Sequence, residues 1–397
     1  MLSDPTWADE ALPSAEIRAL LACARAVLDP GRLPELQAAL TGCTSTDRLC
    51  EAAIEHGMLG HLHSVVAAAG GALADPAPVA RLAELQRLAA QRSLRQTARL
   101  LRLLGQLSAA GVQAMPYKGP AWAERFYGDV TLRSWADLDV LVPYERLQHA
   151  RGVLLADGFV DGSPFNARLS GRRHRGWGEV AFSAIDQGIH VELHWEVTVG
   201  FSARSLRPES LFARAGHLSL LGQEVPTPSG TDCLLMTCLN GARDRWNDIE
   251  EMLGLAVQIR STPETSWHET LDTARRAGCL RRTTISVAHV CRVLDLSVPQ
   301  AVAGAIAHDA VARALFRSLK PEGLGPAPST SHRRQLRTIF WRSATEDSVV
   351  AGLGQGAVRL FRPSPEDWAW IALPRHAEWL YYVFRPARLA VKWAKRL

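Results

Sequence analysis

Two aspartates two residues apart, Asp137 and Asp139, lie in a run of otherwise apolar residues that alternates in the manner of a β-strand. Such a strand would present both carboxylates on one face, which is unfavourable unless a cation or a basic group lies between them. Two oxygen ligands fixed on a strand suit Mg²⁺, which binds through carboxylates and substrate phosphates. An edge strand with a solvated polar face would explain the same pattern, so the motif alone leaves both interpretations open.

A turn ahead of this strand has the features of an anion site. Residues 112–117 form a short apolar segment, and Lys118-Gly119-Pro120 leads into a helix that we expect to continue to Tyr127. A strand followed by a glycine turn and a helix N-terminus directs free backbone N–H groups towards one point, and Lys118 adds a positive charge there. The alternative is an ordinary β-to-α turn with a lysine on the surface.

A later pair of strands carries further acidic and imidazole side chains. Residues 178–183 and 189–197 predict a β-hairpin around Asp186-Gln187-Gly188. The second strand alternates, so that its polar face would hold His190, Glu192, His194 and Glu196. An acidic and imidazole face on a packed strand favours a site-lining role. Zinc binding is the alternative, but we disfavour it because this spacing lacks the helical i,i+4 geometry of zinc proteases.

The flanking regions are predicted to be mainly helical. Residues 14–110 are rich in Ala, Leu and Arg, and helices resume at about residue 231 and continue to about 318. Residues 320–332 combine Pro, Gly and Ser as a linker does, and the remainder is rich in Trp, Tyr and Arg. We therefore divide the chain into a helical region (1–110), an α/β core (111–200), a second helical region (201–319), the linker (320–332) and a C-terminal helical region that packs on the body (333–397).

Composition narrows the class of protein. Of the 397 residues, 47% are hydrophobic, which is enough to form sizeable buried cores. The net charge of +5 is too small to favour RNA as a partner, and we expect no DNA partner either. Seven cysteines without a C-x-x-C pair indicate reduced thiols. Because there is neither a signal-peptide pattern nor an apolar run of about 18 residues, we expect a cytoplasmic protein.

Two basic segments leave alternatives open. The loop at 171–176, Gly-Arg-Arg-His-Arg-Gly, would either contact phosphates or be solvated, and we favour solvation. The final helix repeats Leu389, Trp393 and Leu397 at four-residue spacing and has no acidic neighbour. It would either lie on an anionic membrane surface or dock on its own protein, and we favour docking.

The order of these motifs resembles the DNA-polymerase-β-like nucleotidyltransferase superfamily, and more closely the bacterial uncharacterised nucleotidyltransferase family. That family pairs an L-K-G turn with R-x-x-x-D-h-D-h-h-V and a later D-L-H-W strand. The similar segments are residues 117–119, 133–142 and 191–195, and the similarity extends to residues 240–246 and 381–386. The chain departs from the pattern in two places. Glu192 replaces the third Asp of the family pattern. In the helix that often reads H-G-A-x-H-x-W in the family, Asn240 and Asp244 replace the two His, and Gly254 replaces the Asp that follows.

The resemblance implies an α+β fold, with a small mixed-sheet polymerase-β-like nucleotidyltransferase core between N- and C-terminal helical regions. It implies Mg²⁺ or Mn²⁺ held by the catalytic residues Asp137, Asp139 and Glu192. The remaining implied site residues bind the nucleotide and its phosphates (Lys118, Gly119 and Arg133) or support the site (His194, Trp195, Asn240 and Arg243).

The implied reaction moves a nucleoside monophosphate from an NTP, with ATP the first donor expected, to a hydroxyl group of an acceptor. The acceptor is left open among a small molecule, a sugar, a modified peptide, a protein and an RNA end. Two alternatives keep the fold: a different phosphorylated or nucleotide-sugar donor in natural-product peptide tailoring, or a non-catalytic nucleotide-binding protein. The substituted positions Asn240, Asp244 and Gly254 give the second alternative its weight, whereas the retained carboxylates argue against it.

Overall fold

The structure is a computed structural model. It describes residues 13–69, 76–161, 178–184, 188–197, 206–319, 338, 340–363, 367, 370–371 and 373–394. The α-helices are α1 Ala15–Leu28, α2 Leu33–Thr41, α3 Thr46–Glu55, α4 Leu59–Ala68, α5 Pro76–Ala109, α6 Gly119–Tyr127, α7 Leu147–Ala156, α8 Pro208–Phe212, α9 Gly230–Asp244, α10 Ile249–Ser261, α11 Trp267–Ala277, α12 Leu280–Leu294, α13 Gln300–His308, α14 Ala310–Ser318, α15 Val349–Phe361 and α16 Tyr381–Ala394. The strands are β1 Met115–Pro116, β2 Leu138–Leu141, β3 Val160–Asp161, β4 Glu179–Ala184, β5 Ile189–His194, β6 Gly216–Leu220 and β7 Gln223–Thr227.

Five strands form a mixed sheet in the order β1-β2-β5-β4-β3. The two central strands, β2 and β5, run parallel, and β1, β4 and β3 pair antiparallel with their neighbours. The parallel register sets Asp139 beside Glu192, and the β4–β5 register sets Glu179 beside His194. The sheet therefore brings together acidic and imidazole side chains from three strands.

One face of this sheet packs against helices. Leu100, Leu103 and Leu107 of α5 lie in a buried cluster with Val140 of β2 and Val191 of β5. Alternation along β5 explains this arrangement, because Ile189, Val191 and Leu193 are buried on the face opposite His190 and Glu192. The predicted two-faced strand is confirmed.

A second hydrophobic core joins helices that are distant in sequence. It contains Leu20 and Cys23 of α1, Leu239 of α9, Leu253 of α10 and Val290 of α12. Because α9 and α10 are apolar around most of their circumference, they are surrounded on several sides by other helices. The helical regions before residue 110 and after residue 229 therefore share one core.

The structure adds to the sequence predictions and adjusts some of their boundaries. β2 begins at Leu138, so Asp137 lies one residue before the strand. The region 201–319, predicted as helical, also contains the antiparallel β6–β7 hairpin. The linker at 320–332 and the basic loop at 171–176 lie outside the described residues. Among the helices that are described, none has both the length and the apolar character needed to cross a bilayer.

Candidate active site

The centre of the site is a cluster of Asp139, Glu192 and His194. One ligand atom of each side chain lies within 4.8 Å of those of the other two. His194 Nε2 is 2.7 Å from Asp139 Oδ1 and 3.2 Å from Glu192 Oε2. The sheet produces this arrangement, because Asp139 pairs with Glu192 across β2 and β5 and His194 follows two residues later on the same face.

Lys118 approaches this cluster from the turn before α6. Its Nζ lies 3.5 Å from Asp139 Oδ1 and 5.0 Å from the centre of the Tyr117 ring. The backbone of Lys118 has φ of +56°, which is uncommon for a residue with a side chain, and Gly119 has φ of +43°. Strained backbone of this kind is found at functional sites, where the surrounding structure holds it in place. The predicted helix after this turn is confirmed as α6.

The second ring nitrogen of His194 faces two further groups. His194 Nδ1 lies 3.1 Å from the Tyr117 hydroxyl and 3.4 Å from Glu179 Oε2. The sequence analysis did not identify Glu179 as a site residue. Its signal lay in the hairpin register, since Glu179 pairs directly with His194 across β4 and β5.

The charges in the cluster shift the pKa values of its members in opposite directions. Burial raises the pKa of Asp139, but Lys118 and His194 outweigh burial and lower it to about 2. Burial and the carboxylates of Asp139 and Glu192 raise the pKa of Asp137 to about 6. Burial lowers the pKa of His194, whereas the same two carboxylates raise it more, to about 9. Near neutral pH the metal-free cluster therefore holds His194 as a cation against an ionised Asp139.

Asp137 lies beside the cluster. Its side chain is half-buried, and its pKa responds to Asp139, Glu192 and Lys118, so it shares their electrostatic environment. The structure thus adds His194 to the possible metal ligands and keeps Asp137 next to the group. That Asp137 binds metal stays a prediction.

Arg133 lies in an ion pair away from the carboxylates of the sheet. Its Nε is 2.5 Å from Glu250 Oε2 of α10, both side chains are buried, and Glu250 also accepts a hydrogen bond from the Tyr127 hydroxyl at 2.9 Å. Arg133 belongs to the segment between α6 and β2 that leads to Asp137. The structure therefore gives its guanidinium a contact within the protein, and its phosphate-binding role stays a prediction.

The three other predicted supporting residues differ in burial and in their contacts. Trp195 is buried, and its ring centre lies 5.6 Å from that of Tyr144. Asn240 of α9 is 1% exposed, and neither polar atom of its amide has a hydrogen-bond partner among the described residues. Arg243 pairs with Asp244 at 2.8 Å. Burial raises the pKa of Glu179 and the charge of Arg243 offsets a small part of that rise, so this charge reaches the edge of the site.

The donor set fits a divalent metal ion. Asp139 and Glu192 supply hard oxygen ligands, and His194 supplies a nitrogen that first-row metals accept. His194 Nε2 is buried and lies close to both carboxylates, and without metal its charged form pairs with Asp139. Three ligand atoms that converge on one point are suited to bind a cation, which would replace the proton on His194 Nε2.

The comparisons with known proteins agree with this geometry. A family model described as "Uncharacterised nucleotidyltransferase" matches residues 43–295, which is more than half of the chain. The match includes β1 to β7, the cluster and α6 to α12. No curated protein matches the chain.

Proposed function

Because the chain belongs to the uncharacterised nucleotidyltransferase family, we propose that it transfers a nucleoside monophosphate from an NTP to a hydroxyl group of an acceptor. The observation that carries the proposal is the convergence of Asp139, Glu192 and His194 with Lys118 beside them. In this reaction the acceptor oxygen bonds to the α-phosphorus, the bond to the β-phosphate bridging oxygen breaks, and pyrophosphate leaves.

We assign Asp137, Asp139 and Glu192 to hold Mg²⁺ or Mn²⁺. When bound, such an ion neutralises phosphate charge and orients the oxygens that attack and leave. His194 lies against Asp139 and Glu192, and its Nδ1 faces Tyr117 and Glu179, so we assign it to orient the two carboxylates.

Lys118 and the start of α6 supply the positive charge that a triphosphate requires. The first backbone N–H groups of a helix have no partner within the helix, and its dipole favours an anion there. Lys118 immediately precedes α6, and its Nζ lies 3.5 Å from Asp139 Oδ1, so its charge is next to the carboxylates. We therefore assign Lys118 and the backbone of Gly119 to the phosphates.

A carboxylate must take the proton from the acceptor hydroxyl. Glu192 is half-buried and lies at the centre of the cluster, so we assign it this role together with metal binding. Arg133 acts in this proposal through Glu250, by holding the segment that leads to Asp137. Trp195, Asn240 and Arg243 support the surrounding structure.

A thermal-shift screen tests the proposal. The protein is heated with each of the four NTPs in Mg²⁺, Mn²⁺ or EDTA, beside Asp139→Asn and the control Asp272→Asn, whose side chain is exposed on α11. At about 100 times the dissociation constant, an NTP adds roughly 2.7 kcal/mol to the free energy of unfolding. We expect metal-dependent stabilisation by one NTP, ATP first, that Asp139→Asn loses and the control keeps. Absence of stabilisation by every NTP would contradict the proposal.

The same screen separates the alternatives. A non-catalytic nucleotide-binding protein would show the same stabilisation. It would release no pyrophosphate from the NTP when incubated with fractions of a cell extract as sources of acceptor. A different phosphorylated or nucleotide-sugar donor would replace the NTPs in stabilising the protein. The variant that distinguishes substrate binding from folding is Lys118→Gln, which removes the charge without adding a further carboxylate beside Asp139; we expect it to lose NTP stabilisation while circular dichroism shows that it is folded.

A further inference from the structure

The C-terminal helix α15 packs in an unusual orientation. Two of its glycines face the protein: a Cβ at Gly352 would lie 2.6 Å from the Ser343 carbonyl oxygen, and one at Gly356 would lie 3.6 Å from Ser343 Oγ. Its large apolar side chains face outwards, with Val349 79%, Val350 81% and Leu353 70% exposed. A helix on the surface of a soluble domain normally shows the opposite pattern. This pattern indicates that the outward face of α15 binds a partner or an apolar surface.

Helix α16 continues the same apolar surface. It packs against α15, and Tyr382, Val383 and Val391 are exposed on it. Its arginines Arg385 and Arg388 turn inwards instead and pair with the buried Asp367. We call the exposed side chains of this region the C-terminal apolar face; they are Phe340, Val349, Val350, Leu353, Phe361, Trp370, Trp379, Tyr382, Val383 and Val391.

The concentration of these side chains is specific to the C-terminal region. In the described part of residues 13–319, the exposed large hydrophobic side chains are fewer and spread over several elements: Ile54, Leu88, Leu94, Leu155, Val160, Leu221 and Val311. The C-terminal apolar face has ten within about 50 residues. Exposed large hydrophobic side chains at this density indicate an interaction surface, whereas single scattered ones do not.

Charge decides which partner fits. Residues 333–397 contain 12 Lys and Arg and five Asp and Glu, a net charge of +7, although the whole chain carries only +5. Two copies of such a region would repel one another, whereas an anionic lipid surface attracts nearby basic residues by about 1 kcal/mol each. Arg342, Arg385 and Arg388 pair with acidic residues within the protein, so this attraction comes from the other basic residues of the region. Exposed Trp and Tyr side chains suit the level of the lipid headgroups.

We propose that α15 and α16 dock on the surface of an anionic membrane. Val349, Val350 and Leu353 enter the boundary of the acyl chains, and Trp370, Trp379 and Tyr382 lie among the headgroups. The helices lie on the membrane and do not span it, in keeping with their length. The proposal does not rest on the nucleotidyltransferase reaction, since it concerns a surface outside the family match at 43–295.

Vesicle flotation of the full chain tests this proposal without nucleotide. The protein is mixed with vesicles of phosphatidylcholine alone or with 30% phosphatidylglycerol, at low and at high salt. We expect binding to the anionic vesicles that weakens with salt. The double variant Val350→Glu/Leu353→Glu should lower the partition coefficient about tenfold or more, because each change removes apolar contact and adds a repelled charge.

The control Ile54→Glu places the same charge on an exposed apolar position of α3 and should bind as the wild type does. Circular dichroism checks that each variant is folded. Equal flotation of the double variant and the wild type would overturn the proposal. The proposal would also be overturned if the wild type did not bind anionic vesicles but formed a dimer, measured by light scattering, that the double variant did not form. The partner of the C-terminal apolar face would then be a second copy of the chain.

Discussion

Replacing Glu250 with Gln would show what Arg133 does. The two side chains form a buried ion pair, with only 10% of Arg133 and 4% of Glu250 exposed. Gln has nearly the same shape as Glu, so Glu250→Gln removes the charge and leaves the packing. The guanidinium of Arg133 then stays buried without the carboxylate that its Nε contacts.

The expected magnitude follows from that burial. Removing one partner of a buried ion pair costs about 3–5 kcal/mol, because the remaining charge is left without compensation. An exposed pair contributes less than about 1 kcal/mol. Because Asp248 and Glu251 also act on the charge of Arg133 and are repelled by Glu250, we expect Glu250→Gln to lower the free energy of unfolding by about 1–3 kcal/mol, measured by urea denaturation without metal. The control Glu84→Gln, in the exposed pair with Arg81, should change it by less than about 1 kcal/mol.

A double variant separates positioning from phosphate binding. If Arg133 acts through Glu250, Arg133→Met/Glu250→Gln will be more stable than Glu250→Gln, because no unpaired charge stays buried. The double variant and Glu250→Gln should also bind the NTP equally well. If Arg133→Met weakens NTP binding about tenfold or more while Glu250→Gln leaves it unchanged, our reasoning is refuted and the guanidinium contacts phosphate directly.

Two further predictions concern the site and the segment before it. Because the pKa of His194 is raised to about 9, its charge stabilises the metal-free fold fully below the ordinary pKa of 6.5, and this contribution is lost as the pH rises through 9. Between pH 6.5 and about 9.5, the free energy of unfolding measured in urea should fall by up to about 3 kcal/mol more in the wild type than in His194→Gln. The same dependence of the free energy of unfolding on pH in both proteins would contradict this prediction. At Gly60, an added Cβ would lie 2.6 Å from the Leu132 carbonyl oxygen, so Gly60→Ala should destabilise the fold by about 1–3 kcal/mol. Gly105→Ala, where a Cβ meets nothing within 4 Å, should not destabilise the fold. Equal melting temperatures for the two variants would show that the segment around Leu132 moves freely to make room.

The parts of the site that were predictable from sequence depend on local patterns. Alternation along β5 places Glu192 and His194 on one face, and the Gly119-Pro120 turn marks the start of α6. The pairing of Asp139 with Glu192 and the lysine beside them fit the family motifs. These features need only the period of a strand and the chemistry of a helix N-terminus.

The parts that were missed depend on contacts between distant segments. Arg133 pairs with Glu250, 117 residues later in the chain, and no pattern around Arg133 indicates that partner. Glu179 reaches His194 only once the hairpin register is fixed, and a shift by one residue would turn it to the other face. The position of α10 beside the segment before β2 decides the first contact, and the register of β4 on β5 decides the second. No local pattern specifies either.

The C-terminal end of α9 is the point where the proposed membrane surface and the site are connected. The last four carbonyl groups of a helix have no partner within it. Two of them in α9 accept hydrogen bonds from the C-terminal region: Ala242 from Trp341 Nε1 at 2.7 Å and Arg243 from Arg342 Nε at 3.1 Å. Because Arg243 also acts on the charge of Glu179, residues beyond the family match hold in place a helix end that borders the cluster.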